Sequence, residues 1–420
     1  MQRSIQLPTR AFLLPLLALG LVLAGCDSSG SSNTADPEPP SNAPDVYPAP
    51  TSEASYAEEI AINLQSAELG IRLENDPSPG ILQSIYTGPA ADQSIRRISG
   101  LSQTFKQTTY GDIQSGVDLS AALSTDLLLR SDQLEAPDTD APGTLRTADQ
   151  LISYYLEQAT ETSSNGVDFS QLSEKGVAGA LSFYEGAEIL NDFADDGSVA
   201  SDPAEAWNEA FGHFGAPRDF TAFLDYTDPE GLVGGSSFQD RNGDNVVDLV
   251  SEAVYIWAGY TAERAAVAEG TGTPNDFARR AFEAFRQGRV DIDNGTDPSD
   301  HAAAALDAWD ATVAVNVIHY INGMQSALDA VEGEITTEKL ADSAGFQDSW
   351  GETKAFAWTL QFNETGPLSD AQLKTIHDRI GNDPPYSEGM SASEYTAELT
   401  TVKETLRDAY GFAPSNVEAW

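Results

Sequence analysis

The chain is 420 residues long and carries 66 acidic against 22 basic residues, a formal net charge of −44. That excess excludes a nucleic-acid partner, because binding phosphates takes a basic surface, and it lowers the worth of any two neighbouring carboxylates as a catalytic signal. Six of the basic residues are lysine; a surface poor in Lys and rich in Asp is that of a protein from a salt-loving organism, where salt screens its self-repulsion.

In chain order, Arg3 and Arg10 precede the apolar run AFLLPLLALGLVLAG, which ends at Cys26, the single cysteine. The run is too short and wrongly flanked for a membrane-spanning helix, and it predicts a lipoprotein signal peptide over residues 1–25. Leu23-Ala24-Gly25-Cys26 resembles the bacterial lipobox, where the chain is cut before the cysteine and the sulfur receives a diacylglycerol. Acyl chains, palmitate included, contribute about 0.8 kcal/mol per buried CH₂, so such an N-terminus stays on a membrane. The expected location is the cell envelope, periplasmic or at the outer membrane and cell surface. With no second cysteine, the body has no disulfide and no thiolate metal site. Residues 26–50, rich in Ser, Pro, Gly and Asp, predict a disordered spacer behind the lipidated Cys26.

Residues 51–411 read as a helical domain and 412–420 as a C-terminal tail. Ile60, Leu64, Leu69 and Leu73 fall near one helical face, as do Leu151, Tyr155 and Leu156. Further helical periods cover 171–194, 203–214, 248–268, 275–289, 299–330, 340–362, 369–379 and 392–410. Asp202-Pro203-Ala204-Glu205, Asp297-Pro298-Ser299-Asp300 and Ser369 or Asp370 supply helix starts. Gly176, Gly179 and Gly186 sit inside one helix at a cost of roughly 1 kcal/mol each relative to Ala, which the close approach of another helix would offset. Alternating runs of strand length are nearly absent. The predicted fold is all-α, stacked antiparallel helical bundles with an EF-hand-like calcium loop.

That loop is DRNGDNVVDLVSE, Asp240 to Glu252. Counting from Asp240 places Asp240, Asn242, Asp244, the carbonyl of Val246 and Asp248 at the oxygen-donating positions, with Val247 at the hydrophobic one. Asn245 replaces the usual glycine and enters the left-handed region more readily than most residues. Ser251 stands where the closing acid belongs, and Glu252 follows it. A helix starting near Asp248 would put Asp248 and Glu252 on one face and let Glu252 close the site. The competing reading is a solvated turn with Asp248 as an N-cap.

The segments NGVDFSQLSEKGVAGALSFYEGAEIL, AWNEAFGHFGAP, DRNGDNVVDLVSE, FEAFRQGRVDI, WDATVAVNVIHYIN and GETKAFAWTLQFN resemble, in this order, landmarks of domain-of-unknown-function family 4856. The resemblance covers roughly residues 46–411 and implies a bacterial envelope lipoprotein without assigned biochemistry. More remotely, the chain is similar to the imelysin group of helical bundles linked to iron uptake. The Gly-x-His-x-x-Glu motif of that group is absent, since His319 is followed by Tyr320, Ile321 and Asn322.

Glu209 and His213 lie four apart on a helix and, with His319, form a candidate ligand or second metal site for iron or zinc; the alternative is an aromatic plug of Trp207, Phe211 and Phe214 stopped by Gly215. Asn316, His319, Tyr320 and Asn322 form a polar set on an apolar helix and predict a satisfied internal network. Arg279, Arg280, Arg286 and Arg289 predict pairing with local carboxylates rather than an anion site. No nucleophile elbow, zinc helix or phosphate-binding loop occurs, and no catalytic residue is assigned. The sequence predicts a calcium-stabilised binding or structural lipoprotein with an unknown envelope ligand or protein as partner. The alternative is an imelysin-like metal-dependent hydrolase or iron-uptake protein.

Overall fold

The longest element of the computed structural model is the helix Ser299–Leu328, and its composition explains its place. Apolar residues occur all round it, and such a helix is stable only when enclosed. Ala305, Trp309, Val313 and Val317 are buried along it. Its small alanines let Phe277–Asn294, Phe346–Thr359 and Tyr184–Asp196 pack against it. The structure describes residues 44–48, 56–75, 78–114, 116–123, 147–159, 166–196, 202–224, 237–340, 345–386 and 389–420, all within one unit spanning 42–420. The signal peptide, Cys26 and most of the spacer lie outside the described residues. Among the described residues the fold is all-helical, and extended pairing is limited to isolated bridges.

The helix starts read from sequence are present. Asp202 accepts from the Glu205 N–H at 3.2 Å with Pro203 in the first turn, and Ser369 and Ser391 form capping boxes with Gln372 and Glu394. Two short helices, Pro79–Tyr86 and Pro414–Ala419, were too brief to show a period, and each begins with a proline preset for a first turn. The helix expected from 248 begins instead at Ile256.

Glycines 179 and 186 mark close helix approaches. A Cβ on Gly179 would collide with the Thr359 side chain, and one on Gly186 would lie 2.6 Å from the Trp309 ring. Gly176 has only ordinary contacts. At Gly179 the helix opens into a π turn, Ala178–Phe183, and the Trp257 Nε1–H donates to the Ala178 carbonyl at 3.0 Å.

The folded body is longer at both ends than 51–411. Tyr47 is buried, stacks on Phe211 with ring centroids 3.7 Å apart, and its hydroxyl donates to Asn208 Oδ1 at 2.7 Å. Residues 412–420 pack inward rather than trailing as a tail: Trp420 is buried, meets Phe412 edge-on at 5.1 Å and donates Nε1–H to the Arg264 carbonyl at 2.9 Å. In both cases one aromatic ring outweighs the polar composition around it.

Candidate functional site

The 240–252 loop is a succession of tight turns. Asp240 accepts from the N–H groups of Gly243 (2.8 Å) and Asn245 (2.7 Å), Asn242 from Asp244 (2.8 Å), and Asp244 from Val246 (2.9 Å). These are successive turns in which a short side chain bonds the backbone ahead of it. Asn245 has a φ of 71°. Val247 pairs with the neighbouring segment 104–106: its N–H donates to Thr104 O at 2.8 Å, and the Lys106 N–H donates to Val247 O at 2.9 Å.

The closing half is engaged elsewhere. Asp248 accepts from Lys106 Nζ (3.0 Å) and Gln107 Nε2 (2.8 Å). Burial opposes its ionisation, but the hydrogen bonds from Gln107 and Lys106 outweigh it and hold the carboxyl below the usual range. Glu252 is buried, and its two oxygens accept from the N–H groups of Arg241 (3.1 Å), Asn242 (3.0 Å) and Asp248 (2.9 Å). No long helix is needed to bring it there: one turn, Glu252 N–H to Asp248 O at 2.8 Å, suffices. Asp240, Asn242 and Asp244 are exposed. The residues at the tip thus form a run of side-chain-to-backbone turns, while Asp248 and Glu252 are committed to Lys106, Gln107 and backbone amides. Among the described residues no group of three or more His, Cys, Asp or Glu is disposed to hold a metal ion.

Glu209, His213 and His319 have separate surroundings. Burial pulls His213 down to about 3, and it packs beside Gly186 within the aromatic cluster of Trp207, Phe211 and Phe214. Burial and the charge of Arg264 pull His319 down to about 4, against a bond from its Nδ1 to the Trp420 carbonyl at 3.0 Å. Both are neutral at pH 7. Glu209 is half-buried, and burial with Glu205 and Glu58 nearby raises its carboxyl. The polar set on the central helix is bonded in part: Arg264 Nε donates to Asn316 Oδ1 (2.9 Å), Lys403 Nζ to Asn322 Oδ1 (2.8 Å), and Asn322 Nδ2 to Val417 O (2.9 Å), while Asn316 Nδ2 is buried without a partner among the described residues, so the network is not fully satisfied. Arg279, Arg286 and Arg289 pair with Asp276, Glu283 and Asp293.

A different group of residues surrounds a cavity of about 260 Å³, with Gly70, Arg97, Gln171, Glu174, Lys175, Val254, Tyr255, Tyr260 and Glu352 in its wall. Lys175 Nζ lies 3.0 Å from Glu174 and 3.5 Å from Glu352. Burial lowers the Lys175 pKa, but Glu174, Tyr260, Tyr320 and Glu352 together raise it well above the ordinary value. Glu352 is pushed up to about 7, chiefly by burial, against the charge of Lys175 and a hydrogen bond from Tyr320. The Glu174 carboxylate fits because residue 70 is glycine: a Cβ there would stand 2.6 Å from it.

Arg97 is half-buried and unpaired. Among the described residues it forms no ion pair and no hydrogen bond; its guanidinium lies 5.7 Å above the Phe238 ring, and its Nε is sealed from water without a partner. Burial lowers its pKa. The Gln171 side-chain amide also lacks a protein partner, with Oε1 sealed. Two other hollows, of about 210 and 350 Å³, hold Arg279 and Arg280, and both of these arginines are open to water.

The loop and the cavity touch the same scaffold. Phe238, just before the loop, bridges Ala253 just after it, meets Phe105 edge-on at 5.5 Å and lies beneath Arg97. Val254, Tyr255 and Ile256, directly after the loop, form part of the cavity wall. No protein-family model, curated protein or solved structure matches the chain.

Proposed function

We propose that the chain is a lipid-anchored cell-envelope protein that binds a small solute in the cavity between Arg97 and Glu352. The observation that carries the binding role is Arg97, half-buried with its Nε sealed and without an ion pair or hydrogen bond among the described residues, in one cavity wall with Gln171, whose side-chain amide also lacks a protein partner. Buried polar groups are normally bonded, so a pair left open around one cavity marks a place where a ligand completes the set. Anchoring is supported by Leu23-Ala24-Gly25-Cys26 and by the ordered segments resembling family 4856 lipoproteins. Expressed in a bacterium with its leader, the wild-type chain should partition with membranes and Cys26→Ser should be released; equal partitioning would refute the anchor.

In this reading the 240–252 loop is a brace. It fixes Phe238 under Arg97 and sets the path of Val254 to Ile256, so its integrity decides the shape of the cavity. Calcium binding by the loop is a second reading, favoured by the turns at Asp240, Asn242 and Asp244 and by the positive φ of Asn245. It requires Asp248 to leave Lys106 and Glu252 to release backbone amides.

A further inference from the structure

We propose that the cavity takes a zwitterion of α-amino-acid type, its carboxylate on Arg97 and its ammonium toward Glu174; this rests on the cavity being a ligand site. The volume, about 260 Å³, suits a small solute and excludes a folded partner. Charge then sets the class. The wall contains two cations, Arg97 and Lys175, and three carboxylates, Glu74, Glu174 and Glu352. Lys175 is already held between Glu174 and Glu352, which leaves Arg97 as the cation without a close ion pair, the Glu174 charge acting on it only from farther off. An anion alone would satisfy Arg97 but would meet the carboxylates without compensation; an amine alone would leave Arg97 bare. A molecule bearing both groups answers both sides.

Each end has suitable chemistry. A guanidinium receives a carboxylate through paired N–H donors, and Arg97 has none of its donors engaged among the described residues. Glu174, whose side chain is partly accessible, offers acceptors to an ammonium. Between them, Ala67, Ile71, Val254 and Ile256 with the rings of Tyr255 and Tyr260 form an apolar wall, which favours an aliphatic side chain.

The test is calorimetric titration of the full chain with L-leucine, isoamylamine, isovalerate and inorganic phosphate. L-leucine should bind, and the amine, the carboxylate and phosphate should each bind at least about tenfold more weakly. Arg97→Gln should weaken L-leucine on the order of tenfold to a hundredfold, whereas Arg407→Gln, at a partly exposed arginine outside the cavity wall, should leave it unchanged. Gln171→Met, which removes the side-chain amide from the cavity wall while keeping side-chain length, gives a second readout should Arg97→Gln fail to fold. Isoamylamine, isovalerate or phosphate binding better than L-leucine, with sensitivity to Arg97 or Gln171, would overturn the zwitterion and leave the cavity as a site. No binding by any of the four, or binding indifferent to both substitutions, would overturn the cavity reading as well.

Discussion

The 240–252 loop and the Arg97–Glu352 cavity both concentrate charge, yet they treat it in opposite ways. In the loop, Asp240, Asn242, Asp244, Asp248 and Glu252 all accept hydrogen bonds from within the protein. In the cavity, Arg97 and Gln171 are left without protein partners. The contrast teaches that a dense motif can be a finished piece of structure, while a site is better recognised by what it leaves unfinished. Unpaired buried groups cost roughly 1–3 kcal/mol each, a cost that ligand binding can recover.

The comparison breaks most visibly at Glu252. Glu252→Ala removes the acceptor for three backbone N–H groups and should cost about 3 kcal/mol in denaturant unfolding. A loss below about 0.5 kcal/mol would mean that the loop is not held by this carboxylate.

The next largest effect is on pH dependence. Glu352 titrates near 4.5 when unfolded and near 7 when folded, so between these values the folded chain keeps a proton that the unfolded chain has lost. Stability from this group is complete below about pH 4.5 and falls as pH rises toward 7. Glu59, pushed by burial to about 8, and Asp348, raised by burial and Asp168 to about 6, act with the same sign. The difference between wild type and Glu352→Gln therefore isolates Glu352. The variant should lose about 2 kcal/mol less than wild type between pH 4 and pH 8, and parallel curves would place Glu352 in water.

The smallest effect sharpens the loop side. Lys106 is exposed, with 64% of its side chain accessible, so Lys106→Met should change stability by less than about 0.5 kcal/mol. It also removes the cation that occupies Asp248. If calcium competes for Asp248, Lys106→Met should raise calcium affinity by about tenfold, with Asp244→Ala abolishing the response. Calorimetric titration with and without chelator in high salt checks this, and an unchanged calcium response in Lys106→Met rules out competition at Asp248.

Much of the helical frame was legible because its signals are local. Asp202 with Pro203 and Ser369 with Gln372 each carry their reason within a few residues. The winding of the loop was legible for the same cause, since donors and acceptors alternate along one segment. Its closure was not, because the partners of Asp248 come from Lys106 and Gln107, about 140 residues away in the chain. The cavity was wholly hidden. Gly70, Arg97, Glu174, Lys175, Tyr260 and Glu352 resemble ordinary helix and loop residues until tertiary packing joins them. Tyr47 and Trp420 were misplaced because composition averages over a window and a single ring does not.

The most direct test of the account is native mass spectrometry of the full chain purified from the envelope of its own cells, wild type beside Arg97→Gln. The wild type should carry a small molecule containing both an amine and a carboxyl group, and Arg97→Gln should carry none. A wild type without any such molecule, or the same molecule on both proteins, would contradict it.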